Sequence, residues 1–560
     1  MSREDGERPV TDSLDAQLAT WLAQGADATE RAELEQLAAT DRAELARRFA
    51  SPLRFGTAGL RGPEQAGPAG MNRLTVRRAT QAVAGWLHQS AGAPARGVVV
   101  GHDARRGSAA FAAQAVATLR ASGVTVHEWP SAGPTPLVPF AVRDLQAAAG
   151  IMITASHNPA ADNGYKLYDA SGTQIIAPDD ERVEALMGRP VLAPGEPGAH
   201  RVIGPEVLAR YRAGILARFA LARPSRLRIV YTPLHGVGGA LATGLLAEAG
   251  YPDVTSVPEQ FAPDPAFPTV PFPNPEEPGV LDRALALARA RGADLVLAND
   301  PDADRLAVAV GTPAGWRMLR GDEVGWLLGW SLLHDPAAPG QVVATSLVSS
   351  TMLGALAADV GLRCVTTLTG FKWIARAADP GTLRFGYEEA IGYAVDPAVR
   401  DKDGLSAALA LARLADELAR AGRTLLDLLD DLEDRFGVHA GTQVSRRDDA
   451  PGGAARLAAL VAALRARPPT QLGDQHVEEV EDLAVGTADR PATPGVRWQT
   501  ADGRVVVRPS GTEPKVKAYL EVVGEPGPRA TLAARRARAR ERLAALAAAV
   551  SARLAPGDPR

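Results

Sequence analysis

Hydrophobic residues follow two different spacings along the chain. Leucines recur at helical spacing over residues 13–50 and predict a helical N-terminal extension, residues 1–50. From Leu53 onward, short apolar runs typical of strands alternate with Ala- and Leu-rich runs typical of helices. The clearest strands are residues 97–101, 149–154, 227–231 and 293–298. This alternation predicts an α/β fold with mainly parallel or mixed sheets.

Breaks in this pattern divide the chain into segments. Seven prolines between residues 261 and 279 predict an irregular extended loop inside a domain. A second break lies at residues 448–453, and an Arg/Ala/Leu-rich helix is predicted near residues 530–554. After the N-terminal extension, the predicted domains are residues 51–205, 206–318, 319–440 and 441–560.

The composition is that of a globular protein, since 46% of the 560 residues are hydrophobic and 22% are charged. The net charge of −4 lacks the basic excess of a nucleic-acid or membrane-surface protein. Cys364 is the only cysteine, which excludes an intramolecular disulfide, a cysteine zinc knuckle and an iron–sulfur cluster. The charged N-terminus lacks the apolar core of a signal peptide, and the long uncharged stretch near residues 339–358 is amphipathic. We therefore expect a cytoplasmic protein without nucleic-acid or membrane partners.

Lysine is rare in this chain. The 61 basic residues include only five lysines, which are Lys166, Lys372, Lys402, Lys515 and Lys517. Because arginine supplies nearly all of the basic residues in this chain, a lysine indicates a site that uses a compact ammonium group.

Three aspartates at alternate positions follow the strand at residues 293–298. Asp300, Asp302 and Asp304 lie in a tight loop and can converge on one hard cation, for which oxygen ligands favour Mg²⁺. An EF-hand is excluded, because its sixth and twelfth positions would be Gly and Glu rather than Arg305 and Gly311. An aspartyl-phosphate phosphatase, with Asp300 as the nucleophile, stays open as an alternative.

A serine follows the strand at residues 149–154, within Thr154-Ala-Ser-His-Asn-Pro159. Ser156 is a candidate nucleophile or phosphate carrier. It does not lie in a Gly-x-Ser-x-Gly elbow, which argues against an α/β-hydrolase. We expect the adjacent side chains of Ser156 and His157 to diverge, so that a Ser–His triad is not predicted. Lys166 lies ten residues further on.

Two more segments carry polar side chains suited to a phosphosugar. Arg508-Pro-Ser-Gly-Thr-Glu-Pro-Lys515 combines cations, hydroxyls and a glycine whose neighbouring N–H groups can approach an anion, which is typical of a phosphate cradle. No Gly-Lys dipeptide occurs in the chain, so a Walker-loop motor or kinase is excluded. In Gly386-Tyr-Glu-Glu-Ala-Ile-Gly-Tyr393, the adjacent Glu388 and Glu389 could accept hydrogen bonds from sugar hydroxyls.

In this order the four segments resemble the α-D-phosphohexomutase superfamily, the phosphoglucomutase/phosphomannomutase enzymes, over about residues 50–520. Further matching segments are Gly56-Thr-Ala-Gly-Leu-Arg61, Gly101-His-Asp-Ala-Arg105, Thr232-Pro-Leu-His-Gly236, Gly370-Phe-Lys-Trp373 and Arg400-Asp-Lys-Asp-Gly404. The resemblance implies four domains, three related α/β domains with mixed sheets and a C-terminal α+β domain, with the active site in a central cleft. It also implies a phosphoprotein of carbohydrate metabolism that acts as an isomerase, an intramolecular phosphotransferase.

The resemblance implies a role for each matching residue. The implied catalytic residues are Ser156 as the phosphoserine, Lys166 and Lys402 as acid/base candidates, and Arg61, Thr57, His157 and Arg305. The implied Mg²⁺ ligands are Asp300, Asp302 and Asp304 together with a phosphoryl oxygen on Ser156. The implied substrate-binding residues are Glu388, Lys372, Arg508, Ser510, Gly511, Thr512 and Lys515.

The expected reaction interconverts glucose 1-phosphate and glucose 6-phosphate through a bisphosphorylated sugar. Glucose 1,6-bisphosphate, or a related sugar bisphosphate, is the expected activator. The chain has Tyr387-Glu-Glu-Ala390 where the hexose enzymes commonly have Gly-Glu-Glu-Ser, and this version resembles the longer subgroup that includes phosphopentomutases. Phosphomannomutase and phosphopentomutase activities therefore stay open as alternatives, as does a phosphosugar phosphatase, and the sequence does not indicate an oligomeric state.

Overall fold

The structure is a computed structural model that describes residues 13–56, 59–187, 189, 196–334, 340–450, 452–487, 490–510 and 514–555. The helices are α1 (Leu14–Ala23), α2 (Ala28–Thr40), α3 (Arg42–Ala50), α4 (Arg73–Leu87), α5 (Ala93–Arg96), α6 (Ser108–Ala121), α7 (Leu137–Asp144), α8 (Asp179–Leu186), α9 (Pro205–Phe219), α10 (Gly239–Glu248), α11 (Pro258–Phe261), α12 (Asp282–Arg291), α13 (Gly321–Leu333), α14 (Met352–Asp359), α15 (Phe371–Ile374), α16 (Gly404–Arg420), α17 (Leu425–Phe436), α18 (Gly453–Ala466) and α19 (Leu532–Leu554).

The strands are β1 (Leu60–Pro63), β2 (Val98–His102), β3 (Val126–Glu128), β4 (Ala149–Ile153), β5 (Asp162–Asp169), β6 (His200–Val202), β7 (Ile229–Thr232), β8 (Val254–Ser256), β9 (Leu295–Ala298), β10 (Ala307–Thr312), β11 (Gly315–Met318), β12 (Val342–Ser346), β13 (Arg363–Thr367), β14 (Leu383–Glu388), β15 (Gly392–Ala394), β16 (His439–Arg447), β17 (Gln471–Leu472), β18 (Gln475–His476), β19 (Glu479–Asp482), β20 (Val496–Gln499), β21 (Gly503–Pro509) and β22 (Lys515–Val523). A short 3₁₀ turn, Arg529–Thr531, precedes α19.

The N-terminal segment forms three helices, each of which begins at a capping side chain. Ser13, Asp27 and Asp41 accept hydrogen bonds from the backbone N–H groups of the first turns of α1, α2 and α3, at 2.9 to 3.2 Å. The helices share a small core in which Trp21 donates its indole N–H to Glu30 Oε1 at 3.0 Å. Burial of apolar side chains, rather than helix propensity alone, holds such short helices together.

The chain divides into two compact units. Unit 1 comprises Met1–Leu208, His235–Val237 and Ala262–Asn274. Unit 2 comprises Ala209–Leu234, Gly238–Phe261 and Pro275–Arg560. The proline-rich loop, predicted to lie inside one domain, is therefore divided between the two units.

The first part of the proline-rich loop packs onto unit 1 through its aromatic residues. The Arg105 guanidinium lies over the Phe267 ring at 5.0 Å, and the His157 ring meets Phe272 edge to face with ring centroids 6.0 Å apart. The predicted domain boundaries near residues 205, 318 and 440 stay a prediction.

Unit 1 is built on a six-stranded mixed sheet with strand order β1-β5-β4-β2-β3-β6. β4, β2, β3 and β6 run parallel, whereas β5 runs antiparallel to β4 and β1. Val98 and Val100 point into the cluster that contains α4 and α6, whereas Val99 points into the cluster that contains α7. Both faces of the sheet are buried, which explains its nearly continuous apolar strands.

The described residues of unit 2 form three larger sheets and one small hairpin, β17–β18. The first two are mixed, with strand orders β11-β10-β9-β7-β8 and β13-β12-β14-β15. The last, β16-β22-β21-β20-β19, is wholly antiparallel, and α18 and α19 pack on it. The predicted fold class, three α/β domains with mixed sheets followed by an α+β domain, is confirmed.

The predicted strands at residues 97–101, 149–154, 227–231 and 293–298 correspond to β2, β4, β7 and β9. The loops that carry Ser156 and the three aspartates follow β4 and β9, at the carboxyl ends where open α/β sheets bind ligands. No helix in the described parts of the chain has the length and apolar character needed to cross a bilayer.

Candidate active site

The serine loop lies in unit 1, between β4 and β5. Ser156 is buried, with 2% of its surface exposed, and its φ of +52° lies in the left-handed region. Its backbone N–H donates to Thr154 Oγ1 at 2.9 Å. Ser156 Oγ lies 3.2 Å from His157 Nδ1, within hydrogen-bond distance. The prediction that these two side chains diverge is wrong, because the left-handed turn at Ser156 breaks the extended geometry that points successive side chains apart.

Two more predicted residues lie beside the serine loop. Arg61, in β1, donates from Nη1 to Asn158 Oδ1 at 3.0 Å. Lys166, in β5, pairs with Met152 of β4 in the sheet and is 2% exposed. The structure thus brings Arg61 to the serine loop and places Lys166 on the strand next to β4, whereas Thr57 lies outside the described residues.

Two buried charged residues of unit 1, Asp103 and Arg105, were not predicted from the sequence to belong to the site. Arg105 donates to backbone carbonyls of the serine loop, and Asp103 lies against its guanidinium. Their signal was the segment Gly101-His-Asp-Ala-Arg105, which supported the resemblance without indicating what its charges contact.

The metal loop lies in unit 2, directly after β9. Asp300, Asp302 and Asp304 are at most 1% exposed, and one carboxylate oxygen from each lies within 4.8 Å of the others. Among the described residues, no other group of three or more His, Cys, Asp or Glu side chains converges in this way. Burial, together with the charges of Asp302 and Asp304, raises the pKa of Asp300 well above its ordinary value. An all-oxygen, buried anionic set of this kind fits Mg²⁺.

A tight turn holds the three aspartates together. Ala303 has a φ of +55°, and its N–H donates to Asp300 O at 2.9 Å. Gly238 makes room for this turn, since a Cβ there would lie 2.8 Å from that of Ala303. Asn299 fixes the base of the loop, because it accepts from Tyr231 OH at 2.8 Å and donates to Arg305 O at 2.6 Å.

Two cations lie among these carboxylates. Lys402 Nζ is 3.4 Å from Asp304 Oδ2 and 5.5 Å from the centre of the Phe371 ring. Arg305 Nε is 3.9 Å from Asp304 Oδ1 and 4.0 Å from Asp300 Oδ2. Burial alone would lower the pKa of Arg305, but the acids around it raise that pKa above its ordinary value. The structure therefore brings Arg305 and Lys402 into one buried ionic cluster with the metal loop.

The sugar loop joins this cluster at the end of β14. Arg305 donates from Nη1 to Ala390 O at 3.0 Å. A Cβ on Gly392 would lie 2.3 Å from Lys402 Cδ and 3.1 Å from Glu388 Cγ, so the glycine leaves room for both side chains. Burial raises the pKa of Glu388, against the opposing charges of Lys402 and Arg305.

The neighbouring Glu389 has different partners. It accepts hydrogen bonds from the hydroxyls of Ser346 and Ser349 at 3.1 and 3.0 Å. Burial, with the charges of Glu388 and Asp322, raises the pKa of Glu389 to about 7. Of the two adjacent acids, Glu388 is therefore the one placed beside the cations.

Glu276 also belongs to this cluster and was not predicted from the sequence, and its Oε2 lies 3.7 Å from Arg305 Nη1. This residue lies in the proline-rich loop, and no motif in the sequence indicated a contact with the metal loop.

The predicted phosphate loop connects β21 to β22. Arg508 hydrogen-bonds to Thr369 Oγ1, and the Ser510 N–H donates to Lys515 O at 2.7 Å. Lys372 lies in α15, which follows Thr369 closely. Gly511 and Thr512 lie outside the described residues.

Four domain families match successive parts of the chain. Residues 52–190, 209–315 and 320–436 match the phosphoglucomutase/phosphomannomutase alpha/beta/alpha domains I, II and III. Residues 460–539 match the phosphoglucomutase/phosphomannomutase C-terminal domain.

Curated relatives carry several different substrate names. The chain is 39% identical over 469 residues to a Haemophilus influenzae protein named "Probable phosphomannomutase", which covers 81% of this chain and 94% of the relative. It is 36% identical over 564 residues to the phosphopentomutase of Mus musculus, covering 92% and 91%. It is 31% identical over 503 residues to a Staphylococcus aureus phosphoglucomutase, covering 85% and 90%.

Solved structures share the fold. A phosphoglucomutase/phosphomannomutase family protein from Burkholderia thailandensis matches with a TM-score of 0.67 and 23% identity, covering 88% of this chain and 97% of that one. The open form of parafusin, a phosphoglucomutase from Paramecium, matches with a TM-score of 0.67 and 17% identity, covering 90% and 96%.

Proposed function

This chain belongs to the phosphoglucomutase/phosphomannomutase family, and we propose that it is a Mg²⁺-dependent phosphosugar mutase with Ser156 as its phosphoryl carrier. Its family relatives are phosphomutases, and the protein is accordingly an isomerase of the intramolecular phosphotransferase class. The observation that carries the proposal is the buried cluster in which Asp304 belongs to the Asp triad and also pairs with Lys402. That cluster combines a metal site, a candidate acid/base and the sugar-loop carboxylate Glu388.

The proposed reaction has two phosphoryl transfers. In the first, the bond between phosphorus and Ser156 Oγ breaks while a bond to the free sugar hydroxyl forms, giving a sugar bisphosphate. In the second, after the sugar has reoriented, the bond between its other phosphorus and the sugar oxygen breaks while a bond from that phosphorus to Ser156 Oγ forms, and the sugar oxygen leaves as a hydroxyl. A lysine, Lys402 or Lys166, takes the hydroxyl proton in the first transfer and returns a proton in the second.

Charge stabilisation accompanies both transfers. Arg61, Arg305 and Thr57 are proposed to bind the oxygens of the transferring group. Asp300, Asp302 and Asp304 would hold Mg²⁺, which when bound supplies positive charge that offsets the charge of the phosphoryl group.

Substrate binding is proposed to use groups that tolerate both orientations of the sugar. Glu388 would accept hydrogen bonds from sugar hydroxyls. The non-reacting phosphate would be bound by Lys372, Arg508, Ser510, Gly511, Thr512 and Lys515.

Glucose phosphate is the first candidate substrate, as the resemblance implies. A pentose phosphate is the second, because the sugar loop has Ala390 in place of a serine and the phosphopentomutase relative is more similar than the phosphoglucomutase. A mannose phosphate is also compatible with the relatives' names.

The test is to compare kcat/KM for the 1-phosphates of glucose, mannose, ribose and glucosamine, with Mg²⁺ and the matching sugar bisphosphate as activator. We expect turnover that requires both additions and is highest for glucose 1-phosphate. A higher kcat/KM for ribose 1-phosphate would identify a pentose phosphate as the substrate and leave the proposed reaction class unchanged. Release of inorganic phosphate in excess of isomer formation would contradict the mutase proposal and favour a phosphatase.

A further inference from the structure

One buried arginine binds four carbonyl groups, three in the serine loop and that of Asp162, the first residue of β5. Arg105 Nη1 donates to Pro159 O at 2.7 Å and to Asp162 O at 2.9 Å. Its Nη2 donates to Ser156 O at 2.7 Å and to Asn158 O at 2.6 Å. The two terminal nitrogens of a guanidinium carry four N–H groups. This binding mode therefore uses all four of them on backbone carbonyls.

The charge of Arg105 is balanced inside the protein. Its Nε lies 3.4 Å from Asp103 Oδ2, and the exposed fractions of the two side chains are 1% and 2%. Asp103 Oδ1 accepts from the Arg105 backbone N–H at 3.0 Å and from Ser108 Oγ at 2.5 Å. The guanidinium also lies over the Phe267 ring. Because it is enclosed on all these sides, Arg105 is not available to bind a substrate phosphate.

The serine loop depends on such a partner. β4 ends at Ile153 and β5 begins at Asp162, so regular strand pairing does not continue between them, and the carbonyls of Ser156 and Asn158 accept hydrogen bonds from Arg105. Ser156 also has a positive φ of 52°, which L-residues rarely adopt. External contacts are therefore needed to hold this backbone in a single conformation, and the Arg105 guanidinium supplies four of them.

We propose that Arg105, held by Asp103, is the positioning residue that fixes the orientation of Ser156 Oγ for phosphoryl transfer. The inference rests on the proposed function of Ser156 as the phosphoryl carrier. A displacement of about 1 Å at a reacting group can lower a rate by roughly 100-fold. Loss of the Arg105 contacts should therefore slow phosphorylation of Ser156 and lower kcat, with little change in KM, since the Arg105 guanidinium is occupied by backbone carbonyls and Asp103.

The experiment compares Arg105→Lys with a matched control, Arg384→Lys. A lysine has three N–H donors that radiate from one atom, so it cannot reproduce the fork that reaches four carbonyls. Arg384 is also a buried arginine that binds a backbone carbonyl, that of Leu332, and it lies in β14 of unit 2.

Three quantities are measured for the wild type and both variants. Intact-protein mass spectrometry follows the rate at which glucose 1,6-bisphosphate phosphorylates Ser156. Steady-state assays separate kcat from KM. Hydrogen exchange follows the peptide that contains residues 154–162, alongside peptides of unit 2.

In Arg105→Lys we expect Ser156 phosphorylation and kcat to fall by about 100-fold while KM changes by less than about threefold. Hydrogen exchange should become faster in residues 154–162 and stay unchanged in unit 2. Arg384→Lys should keep wild-type phosphorylation and exchange in the serine loop. If Arg105→Lys does not fold, Asp103→Asn, which keeps the side-chain shape but removes the counter-charge, should show the same pattern with an effect of about 10-fold.

Wild-type phosphorylation of Ser156 in Arg105→Lys would overturn the inference, and so would equal losses in Arg105→Lys and Arg384→Lys. A wild type that accepts no phosphoryl group would overturn the proposed function instead. In that case unchanged exchange of residues 154–162 in Arg105→Lys would separately overturn the positioning role.

Discussion

The serine loop of unit 1 and the metal loop of unit 2 use the same backbone device for different tasks. Each follows a buried strand, and each turns at a non-glycine residue of positive φ, Ser156 at +52° and Ala303 at +55°. They differ in how their charges are arranged. In the serine loop, Arg105 faces Asp103 and its terminal N–H groups bind backbone carbonyls.

In the metal loop, three converging carboxylates form a charge arrangement that is expected of a cation-binding site. Burial, and then the charges of Asp302 and Asp304, raise the pKa of Asp300, although Lys402 and Arg305 lie beside the three carboxylates. Burying like charges together is unfavourable unless a counter-ion joins them. This difference supports the proposal that Ser156 of unit 1 is the phosphoryl carrier and that the metal loop of unit 2 binds a cation.

Among replacements of Asp302, Lys402, Arg508 and Glu389, the loss of the Asp302 carboxylate from the metal loop should have the largest effect on activity. We expect Asp302→Asn to lower kcat/KM by about 1000-fold, because a weakened metal site loses charge stabilisation of the transferring group. Mg²⁺ should raise the thermal unfolding temperature of the wild type, since it binds the folded state, and should raise that of Asp302→Asn much less.

The control for this prediction is Asp282→Asn, an exposed acid on α12, which should respond to Mg²⁺ like the wild type. If Mg²⁺ stabilised Asp302→Asn and the wild type equally, the metal loop would not bind Mg²⁺ through Asp302. The proposed difference between the metal loop and the serine loop would then be wrong.

Replacing each candidate acid/base should show which unit supplies the proton-transfer group. We expect Lys402→Met to lower kcat by about 100-fold, because general acid–base catalysis contributes on this scale and because Lys402 also pairs with Asp304. Lys166→Met is measured in parallel, and the flatter pH profile of kcat identifies the variant that has lost the titrating group. Lys517→Met, on β22, is the control for the loss of a lysine near the site. If Lys402→Met kept the wild-type pH profile and rate, the acid/base would not belong to the metal-loop cluster.

Removal of a phosphate-loop cation should affect binding more than chemistry. A charge-assisted hydrogen bond to phosphate contributes about 1.5–3 kcal/mol, so Arg508→Ala should raise KM by roughly 10- to 100-fold with a small change in kcat. Arg447→Ala removes an exposed arginine at the end of β16 that pairs with Asp449, and it should leave KM unchanged. If Arg508→Ala had the same KM as the wild type, Arg508 would not bind the non-reacting phosphate of the substrate.

The smallest effect on activity is expected at Glu389, whose raised pKa should instead appear in the pH dependence of stability. Burial raises its pKa to about 7 in the folded state, so the folded protein binds the extra proton over the range in which the unfolded chain has already lost it. This contribution to the free energy of unfolding is present at pH 4 and lost as the pH rises through about 7.

Glu389→Gln keeps an acceptor for Ser346 and Ser349 but does not titrate. Between pH 5 and pH 8 the free energy of unfolding of the wild type should therefore fall by about 2–3 kcal/mol relative to that of Glu389→Gln. Urea unfolding at both pH values measures the difference, with the exposed Glu277→Gln as the control. Parallel pH profiles for the wild type and Glu389→Gln would contradict the assignment.

Local sequence pattern was sufficient to predict the four clearest strands, the fold class and the Asp triad. Buried parallel strands are apolar over their whole length, and Asp300, Asp302 and Asp304 lie within five residues, so a single turn brings them together. The chemistry of such a group depends mainly on residue type and spacing.

Contacts between distant residues could not be predicted in this way. Arg105 binds carbonyls more than 50 positions further along the chain, and Glu276 reaches Arg305 from a loop without a recognisable motif. The orientation of His157 depends on the backbone angle at Ser156, which its residue type does not indicate. The roles of the individual site residues and the domain boundaries stay predictions.

The most direct measurement of the central claim is the location of the phosphoryl group on the active enzyme. We expect peptide mass spectrometry, after incubation with glucose 1,6-bisphosphate and acid treatment, to find a stable phosphoryl group on Ser156, and none on the protein with Ser156→Ala. That variant should lose at least about 1000-fold in kcat, or about 4 kcal/mol of transition-state stabilisation. An acid-labile phosphoryl group on Asp300, or near-wild-type turnover in Ser156→Ala, would contradict the account.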